Sequence, residues 1–422
     1  MVKVFYSLYD GMLSEKNLYQ GYLGVKKAKG SAGIDGQTIA DFGQALERNI
    51  AMLAHELREK TYRPLPVLRK EIPKPDGGVR KLGIPAVRDR IVQQTLLNIL
   101  QPIFDPEFHP SSYGYRPGRS SHQAIAKATL FIRKYQMQWV VDMDLSKCFD
   151  TLDHGLIIQA LRKRIVDGSI LNLVRLFLQS GVMEGQEWHE TTVGSPQGGV
   201  ISPLIANIYL DTFDQEMKRR GHRIVRYADD ILILTRSQTA AENVMKQAGH
   251  YLEEALKLTV NRDKTHIVHS KQGVDYLGVT IRTRTTSIQP KKIQAFKEKV
   301  KRMTRRNSPV NLEQVIAELN PLLRGFFNYF RVANCKRVFK ELMRWIRRRL
   351  RAKQMSLWEK ATKLHRVLRQ RGYRGDFKKI KMASWRNSAC QQAQFALPNI
   401  HFEALGLFSL ETFDVGISVP VV

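Results

Sequence analysis

The chain has 422 residues, enough for two or three domains with substantial cores, and its 43% hydrophobic content is ordinary for a globular protein. Its formal net charge of +29 is unusual and indicates a polyanionic partner, either nucleic acid or an anionic membrane. The sequence has no long apolar run and no apolar leader, and its three cysteines are far apart. These features disfavour a membrane span, secretion, a disulfide framework and a zinc site. They predict an intracellular nucleic-acid-binding protein without membrane contact.

Residues 1–60 have polar, helical spacing that three glycines interrupt between Gly30 and Gly36. Such a glycine cluster predicts a loop, and Thr38 is a suitable start for the helix that follows. Apolar residues then recur at helical spacing over residues 41–60, which predicts helical structure there.

Residues 67–72 and 79–84 predict the two strands of a hairpin, because the turn-forming residues 75–78 lie between them. The cations of this hairpin are Arg69, Lys70, Lys74, Arg80 and Lys81. They suit a solvated charged edge, which protects a sheet against aggregation, or a flexible basic flap that closes on phosphates. The local sequence leaves both interpretations open.

An amphipathic helix is predicted over residues 88–104, and the loop at 113–120 carries two tyrosines and two arginines. Ser120 or Ser121 can cap the next helix, which runs to about Tyr135. A helix N-terminus beside arginines suits a phosphate, although a simple cap is equally consistent.

Residues 138–145 predict a buried strand that ends in acid, with Asp142 and Asp144 on one face. A carboxylate at the end of an apolar strand needs a partner or a metal ion. Residues 146–150 begin a predicted helix, in which Asp150 is interpreted as an ordinary first-turn acid.

The small residues at 192–199 predict either a plain turn or a loop that lets a ligand approach the backbone closely. Further predicted elements are helices over 154–180 (broken at 167–168), 200–217 and 238–256, and strands over 265–268 and 274–281. This order of elements favours an α+β fold, with helices on one face of an antiparallel sheet.

Residues 223–234 carry Tyr227-Ala228-Asp229-Asp230 between two apolar, β-prone runs. An ordinary hairpin turn explains this pattern, since aspartate is common in turns. Two adjacent carboxylates repel each other, however, and a hard cation such as Mg²⁺ relieves that repulsion. If Asp144 lies in the same sheet, the three acids can hold two Mg²⁺ ions for phosphoryl transfer. A nuclease also uses acids and metals, but it does not obviously need the basic hairpin and the small-residue loop as well.

Residues 291–380 contain 27 Lys and Arg against 6 Asp and Glu, a net of +21, with aromatic residues interleaved. Helical periods with breaks near 307–309, 334 and 355–356 predict three or four helices. This charge density goes beyond a merely solvated face and favours strong, salt-dependent nucleic-acid binding.

The sequence closely resembles, nearly from end to end, the reverse transcriptases encoded by bacterial group II introns. The motifs that carry the resemblance are Gly33-Ile34-Asp35-Gly36, Ile72-Pro73-Lys74-Pro75, Gly83-Ile84-Pro85, Tyr113-Gly114-Tyr115-Arg116-Pro117-Gly118-Arg119-Ser120, Asp142-Met143-Asp144-Leu145 with Phe149-Asp150, Ser195-Pro196-Gln197-Gly198-Gly199, Tyr227-Ala228-Asp229-Asp230 and Tyr276-Leu277-Gly278. Their order and spacing match that family without a departure at the catalytic acids. The resemblance implies an α+β right-hand polymerase, with fingers, a palm on an antiparallel ferredoxin-like sheet, and an α-helical basic thumb.

The resemblance also implies a role for each matching residue. Asp144, Asp229 and Asp230 would be the catalytic acids that bind two Mg²⁺ ions, with the Leu145 carbonyl as a further metal ligand. The implied nucleotide contacts are Lys74, Arg80, Arg116, Phe149 (which would exclude a 2′-hydroxyl), Gln197, Gly198 and Lys264. The implied primer and template contacts are Gly33, Ile34, Asp35 and Gly36 in an N-terminal lid, together with Tyr227, Leu277 and Gly278.

Five regions follow from the resemblance: an N-terminal extension with the lid (1–60), fingers (61–138), palm (139–285, with fingers-derived helices at about 154–180), a helical thumb or maturase domain (290–380) and a DNA- or RNA-binding tail (381–422). The chain resembles the short class C type, because it ends without a Cys/His-rich nuclease module.

The implied function is that of an RNA-directed DNA polymerase in the bacterial cytoplasm, which also assists intron splicing and retrohoming. Its implied partners are an RNA template, intron RNA, a DNA primer or target, and dNTPs. Two alternatives remain: an RNA-binding splicing maturase with a secondary polymerase role, and a free-standing reverse transcriptase in DNA repair or phage defence.

Overall fold

The computed structural model describes residues 3–73, 77–185, 187–195, 198–412 and 414–416. Lys74 and Gln197, two of the predicted nucleotide contacts, lie outside these residues. The described chain divides into two compact units, residues 3–269 and 270–416. Among the described residues, no helix combines the length and apolarity that crossing a membrane requires.

The first unit mixes helices with three small sheets. Its described helices are α1 (Asp10–Leu13), α2 (Glu15–Ala28), α3 (Ile39–Gln44), α4 (Leu46–Arg58), α5 (Val87–Phe104), α6 (Ser121–Arg133), α7 (His154–Arg162), α8 (Gly168–Leu178), α9 (Ser202–Arg219) and α10 (Gln238–His250). Its described strands are β1 (Val67–Pro73), β2 (Val79–Ile84), β3 (Trp139–Met143), β4 (Leu145–Ser146), β5 (Val182–Glu184), β6 (Glu187–His189), β7 (Arg223–Tyr227), β8 (Asp230–Thr235), β9 (Thr259–Val260) and β10 (His266–His269).

Side-chain caps explain where two predicted helices begin. The Thr38 hydroxyl accepts a hydrogen bond from the Asp41 amide, and the Asp41 carboxylate accepts one from the Thr38 amide. Ser120 and Gln123 form the same reciprocal pair at the start of α6. Each capping box satisfies backbone amides that have no partner within the helix. The predicted helix starts at Thr38 and Ser120 are confirmed.

The predicted helical structure over residues 41–60 is confirmed, as two helices, because the chain leaves the helical conformation at Ala45 (φ −120°, ψ 43°). One local prediction was wrong. Residues 146–150 do not begin an α-helix, but form the end of β4 and a 3₁₀ turn over Cys148–Asp150. Lys147 has a left-handed φ of 50°, a conformation that a right-handed helix cannot contain.

The sheets of the first unit are arranged around the predicted hairpins. The strand orders are β2-β1-β5-β6, β10-β3-β8-β7 and β4-β9. The hairpins β1–β2 and β7–β8 are antiparallel, as predicted, and β3 is antiparallel to both β8 and β10. The hairpin β5–β6 was not predicted, and β5 joins β1 in parallel.

One hydrophobic core supports the sheet that contains β3 and β8. Val141, Ile231 and Ile233 from these strands are fully buried in the same cluster as Leu210 and Phe213 from α9. The apolar, β-branched runs of the strands therefore face the apolar face of a helix. This core fixes the ends of β3 and β8, where the predicted acids lie.

The second unit consists of a small sheet and a set of helices. Its described elements are β11 (Val274–Tyr276), β12 (Val279–Ile281), β13 (Thr286–Ile288), α11 (Pro290–Met303), α12 (Leu312–Phe330), α13 (Lys336–Trp358), α14 (Ala361–Gln370), α15 (Gln391–Ala396) and α16 (Asn399–Ala404). The single predicted strand over 274–281 is a hairpin, because Leu277 and Gly278 both have positive φ (47° and 83°) and form a two-residue turn. The predicted α+β class with antiparallel sheets is confirmed.

Candidate active site

The strands that carry the predicted acids, β3 and β8, are antiparallel neighbours. Their register pairs Met143 with Ile231. Because the strands are antiparallel, Asp144, which follows Met143, and Asp230, which precedes Ile231, lie at the same end of the pair. Asp229 immediately precedes β8 in the turn after β7. The pairing therefore brings Asp144 to the same sheet end as the adjacent Asp229 and Asp230, from which it is distant in the sequence.

Burial and the neighbouring acids of this cluster raise the pKa values of Asp229 and Asp230. Desolvation and the charges of Asp229, Asp142 and Asp144 together raise the pKa of Asp230 to about 7, and Lys264 opposes this increase. Burial also raises the pKa of Asp229, and Asp144 adds to that increase. Because like charges disfavour each other's ionised forms, the site favours the addition of a positive charge.

The turn between β7 and β8 contains a backbone conformation that needs support. Ala228 has a left-handed φ of 59°, which costs a residue with a side chain roughly 1–2 kcal/mol. Gly114 lies directly against this turn, and a Cβ on Gly114 would overlap the Ala228 nitrogen. The Tyr113 amide also donates to the Arg226 carbonyl of β7 at 2.9 Å. The loop at 113–120 therefore supports the turn that carries the acids.

A fully buried ion pair lies behind the same turn. Nη2 of Arg226 and Oδ2 of Asp214 are 2.7 Å apart, and both side chains are inaccessible to solvent. Nη1 of Arg226 donates to the carbonyl of Ala228 and to Oδ1 of Asn207, each at 3.0 Å. Although burial disfavours its charge, Asp214 raises the pKa of Arg226.

Arg226, Asp214 and Asn207, which support the acidic turn, were not predicted as site residues from the sequence. Asn207 closes the network by donating from Nδ2 to the Gly114 carbonyl at 2.9 Å. The one signal available in the sequence is an arginine, Arg226, inside the otherwise apolar run of β7. A buried arginine needs a carboxylate partner, but the sequence does not identify Asp214 as that partner.

Asp144 is held by two residues that follow β9. Nδ2 of Asn261 donates to Oδ2 of Asp144 at 3.0 Å, and the Asn261 amide donates to the Asp144 carbonyl at 2.9 Å. Nζ of Lys264 is 3.5 Å from the same Oδ2, and the Lys264 side chain is 66% exposed. Lys264 therefore lies beside the acids, whereas Asn261 was not among the predicted site residues.

The donor set of this cluster suits a hard divalent cation, because its side-chain ligands are carboxylate oxygens. Among the described residues, no three His, Cys, Asp or Glu side chains are arranged as a ready-made metal-binding cluster. These mutually repelling carboxylates, of which Asp144 and Asp229 are half-buried and Asp230 is exposed, nevertheless fit a cation, since a positive charge would lower the pKa of each. Asp144, Asp229 and Asp230 are the side chains that could hold it.

Two further side chains, Arg80 and Tyr115, lie near Asp229, and a third, Phe149, contacts Tyr115. Burial and the nearby Asp229 raise the pKa of Tyr115, and Arg80 of β2 opposes this increase. The rings of Tyr115 and Phe149 meet edge-on, with their centroids 6.2 Å apart. Arg80 also opposes the raised pKa of Asp229. The structure therefore places Arg80 and Tyr115 near Asp229, and Phe149 against Tyr115, which was not predicted as a site residue.

The small-residue loop lies against the basic hairpin. Gly198 has a φ of 116°, and a Cβ there would overlap the Gly83 carbonyl oxygen of β2. Glycine is thus required at this position both by its conformation and by the close approach of backbone. The role of Gly198 as a nucleotide contact stays a prediction, and the neighbouring Gln197 lies outside the described residues.

Arg116 has structural partners for every guanidinium nitrogen. Nε donates to Oδ1 of Asp105 at 2.8 Å, Nη1 donates to the carbonyls of His109 and Ser112, and Nη2 donates to the Asp105 carbonyl at 2.6 Å. The side chain is only 3% exposed. These contacts stabilise the loop at 113–120, and we leave Arg116 out of the proposed nucleotide contacts.

The predicted template lid is attached to α5. Nη2 of Arg90 donates to the Ser31 carbonyl at 2.7 Å. The four predicted template contacts differ in exposure: Gly33 is buried, Ile34 is half-buried, and Asp35 and Gly36 are exposed. Their contact with a template stays a prediction.

The predicted primer contacts lie in turns. Tyr227 ends β7 and pairs with Asp230 across the acidic turn. Leu277 and Gly278 form the β11–β12 turn of the second unit, where the Tyr329 hydroxyl donates to the Leu277 carbonyl at 2.9 Å. Their roles toward a primer stay predictions.

Comparison with known proteins identifies two family matches. The family described as "Reverse transcriptase (RNA-dependent DNA polymerase)" matches residues 72–281, and "Group II intron, maturase-specific domain" matches residues 293–372. The first match supports the predicted right-hand polymerase fold, and reverse transcriptases in general depend on divalent metal ions.

Three curated proteins are similar in sequence to this chain. Protein YkfC of Escherichia coli (strain K12) is 35% identical over 289 residues, which cover 60% of this chain and 76% of YkfC. Group II intron-encoded protein LtrA of Lactococcus lactis subsp. cremoris is 30% identical over 349 residues, or 67% of this chain and 57% of LtrA. Nuclear intron maturase 2, mitochondrial, of Arabidopsis thaliana is 29% identical over 272 residues, or 45% of this chain and 37% of that protein. The chain thus spans about three quarters of YkfC and just over half of LtrA, and it belongs to the group II intron family of reverse transcriptases and maturases.

Proposed function

We propose that the chain is an RNA-directed DNA polymerase that copies an RNA template into DNA, using a DNA primer and dNTPs. The observation that best supports this function is the convergence of Asp144 with Asp229 and Asp230 at one end of the β3–β8 pair. Membership of the reverse transcriptase family supports the same chemistry. We place the protein in the bacterial cytoplasm, with nucleic acid as its main partner.

Two Mg²⁺ ions are the proposed cofactors, held by Asp144, Asp229 and Asp230 with the Leu145 carbonyl. When bound, they would activate the primer 3′-hydroxyl and stabilise the charge that develops on the leaving pyrophosphate. The protein's own contribution is to hold its carboxylates in place. Arg226 fixes the carbonyl of the acidic turn, and Asn261 orients Asp144.

The remaining proposed roles follow the family resemblance. Arg80 and Lys74 would bind the triphosphate, and Lys264 would lie near nucleotide or primer phosphates. Phe149 would lie under the sugar and exclude a 2′-hydroxyl, which favours dNTPs over NTPs. Further proposed contacts are Gln197 and Gly198 in the nucleotide pocket, Gly33, Ile34, Asp35 and Gly36 in the template lid, and Tyr227, Leu277 and Gly278 at the primer.

A second function, assistance in intron RNA splicing and retrohoming, is supported by the maturase-specific match and by the net charge of +21 over residues 291–380. We propose that residues 290–380 are the thumb or maturase domain. The other proposed regions are an N-terminal extension (1–60), fingers (61–138), a palm (139–285) and a nucleic-acid-binding tail (381–422). A catalytic intron RNA in the DNA around the gene would separate this role from that of a free-standing reverse transcriptase.

The central experiment is primer extension by the Asp229→Ala variant. We expect it to abolish Mg²⁺-dependent dNTP incorporation on an RNA template, because one of the converging carboxylates is lost. RNA binding should remain nearly intact, since the acid only repels the RNA backbone. Incorporation is measured with a labelled DNA primer, and RNA binding by titration of the same variant.

Glu254→Ala provides the matched control, because Glu254 is an exposed acid of the same unit outside the cluster. It should extend primers at the wild-type rate. If Asp229→Ala also extends primers at that rate, the proposed mechanism is wrong.

A further inference from the structure

One face of the sheet β2-β1-β5-β6 carries an apolar row that ends in an exposed indole. The register pairs Ile84 with Leu68, Leu68 with Met183, and Met183 with Trp188, which lies in the edge strand β6. Residues directly opposite each other lie on the same face of a sheet. The first three side chains are half-buried, whereas Trp188 is 54% exposed.

The same face also carries positive charge. Side chains alternate between the two faces of a strand, so Lys70 of β1 and Arg80 of β2 lie on the face of Leu68 and Ile84. Both cations are exposed, and neither forms an ion pair with any acid in the described part of the chain. Arg80 is close enough to the acidic turn to oppose the raised pKa of Asp229. The apolar row thus begins on β1 and β2, and Arg80 of β2 lies near the candidate active site.

The opposite face of this sheet is electrically different. Glu184 of β5 accepts an ion pair from Lys81 at 3.0 Å and another from Arg69 at 3.7 Å. Lys81 also lies 4.0 Å from Glu71. The cations of this face are therefore largely neutralised by neighbouring carboxylates. Among the described residues of this sheet, only the face with Trp188 combines unpaired cations with exposed apolar surface, which is the combination that binds single-stranded nucleic acid.

The indole of Trp188 is also held in place. Gly181 has a positive φ of 76°, and a Cβ there would overlap the indole nitrogen and stand 2.8 Å from Cε2. Trp188 therefore packs closely against a glycine backbone and still leaves more than half of its surface exposed. A ring with restricted motion loses less conformational entropy when a base stacks on it than a free side chain does.

We propose that Trp188 stacks on an unpaired base of the RNA template ahead of the copying site, an inference that rests on the proposed polymerase function. Three inter-strand steps and four residues along a strand separate Trp188 from Arg80, a distance on the order of 20 Å. Bases stacked at about 3.4 Å span this distance in roughly six nucleotides. Trp188 therefore contacts a template only when its single-stranded overhang is long.

The test measures the affinity of the protein for a DNA primer annealed to RNA templates with a two-nucleotide or a ten-nucleotide 5′ overhang. Trp188→Ala should weaken binding of the long overhang about tenfold, within the range found for one stacked base, and leave the short overhang unchanged. Trp188→Phe should restore most of the lost affinity, because phenylalanine also stacks.

A second arm separates stacking from charge. A ten-nucleotide overhang with abasic sites keeps every phosphate but removes the bases. Wild-type protein should bind this template about tenfold more weakly than the intact one, and Trp188→Ala should lose no further affinity on it, since both changes remove the same contact. Additive losses would overturn the proposal, because they would show that the indole and the bases act independently.

His189→Ala is the matched control, because His189 lies in the same edge strand with its side chain on the opposite face. It should bind both overhangs as the wild type does. If Trp188→Ala binds both overhangs normally, or weakens both equally, the proposal is wrong, and the row is then a contact for a protein or for the duplex. Primer extension by wild-type protein on the short overhang tests the polymerase function separately, so the two ideas can fail independently.

Discussion

Ala228 shows how a single residue determines the position of the acids. Its left-handed backbone is stabilised by the Arg226 guanidinium, which binds its carbonyl, and by Gly114, which packs against its nitrogen. Turns of this kind usually contain glycine or asparagine at positive φ. With alanine instead, the neighbouring residues must maintain the turn, and changes in them should be transmitted to Asp229 and Asp230.

The variant Gly114→Ala tests this transmission without touching an acid. The added methyl group would overlap the backbone nitrogen of Ala228, so the acidic turn must move. A displacement of about 1 Å in a catalytic group can reduce rate on the order of a hundredfold. We expect a loss of that size in dNTP incorporation, measured by single-turnover primer extension, with RNA affinity unchanged.

Gly249→Ala in α10 is the appropriate comparison, because nothing lies within 4 Å of the Cβ that it adds. Alanine is also the better helix former, so this change should be neutral or slightly stabilising. If Gly114→Ala retains the wild-type rate, the turn tolerates the displacement and the support assigned to Gly114 is wrong.

At the scale of elements, helix α9 supports the β7–β8 hairpin, which carries Asp229 and Asp230, through charge as well as packing. Asp214 from α9 and Arg226 from β7 are both inaccessible to solvent and share three hydrogen bonds of 2.7–2.9 Å. Taking both groups out of water is costly, so the pair itself contributes little net stability. Removing one partner, however, leaves an uncompensated charge in the core.

Asp214→Ala should therefore lower the free energy of unfolding of the first unit by about 3–5 kcal/mol, because Arg226 remains buried without its counter-ion. The change is measured by the midpoint of urea denaturation. The variant should also lose dNTP incorporation, since Arg226 would no longer be held at the Ala228 carbonyl. A variant as stable as the wild type would contradict the importance of this pair.

The double variant Asp214→Leu with Arg226→Met separates stability from catalysis. Replacing both charges by apolar side chains should recover most of the stability, as it does for other buried pairs. It cannot restore the hydrogen bond to Ala228, so incorporation should stay low. Recovery of activity together with stability would show that the pair acts only on folding.

The elements that sequence reasoning identified are those with strong local signals. The hairpins β1–β2 and β7–β8 combine apolar runs with turn residues, and the acids of the second carry a family motif. The hairpin β5–β6 escaped prediction because each strand has three residues, and because the residues two positions from Trp188, Gln186 and Glu190, are polar, so that no apolar alternation marks β6. The pairing of Asp214 with Arg226 depends on how α9 packs on β7, and no local pattern specifies that contact.

At the scale of the whole molecule, net charge overstates the charge that can face nucleic acid. Three cations of α13 are turned inward: Arg347 is ion-paired with Glu411 at 2.7 Å, Arg351 donates to the Leu397 carbonyl, and Lys353 is fully buried. By contrast, the cations of α14 stay exposed, because the buried residues of that helix are leucines. The surface of α14 is therefore a better candidate for phosphate contacts than most of α13.

RNA affinity should fall steeply with salt, because lysine and arginine contacts release counterions from the RNA backbone. With six or more phosphate contacts, Kd should rise on the order of a thousandfold between about 50 and 200 mM salt.

Replacing Lys363, Arg366 and Arg369 of α14 by glutamine should reduce the slope of log K against log salt by about two, since each contact contributes roughly 0.7 on a single strand. Arg337→Gln is the control, because Arg337 is exposed but already ion-paired with Glu341 at 3.0 Å, and it should change the slope by well under the roughly 0.7 of one phosphate contact. A flat salt titration of the wild type would exclude this basic region as the RNA-binding surface, and an unchanged slope in the triple variant would exclude α14 in particular.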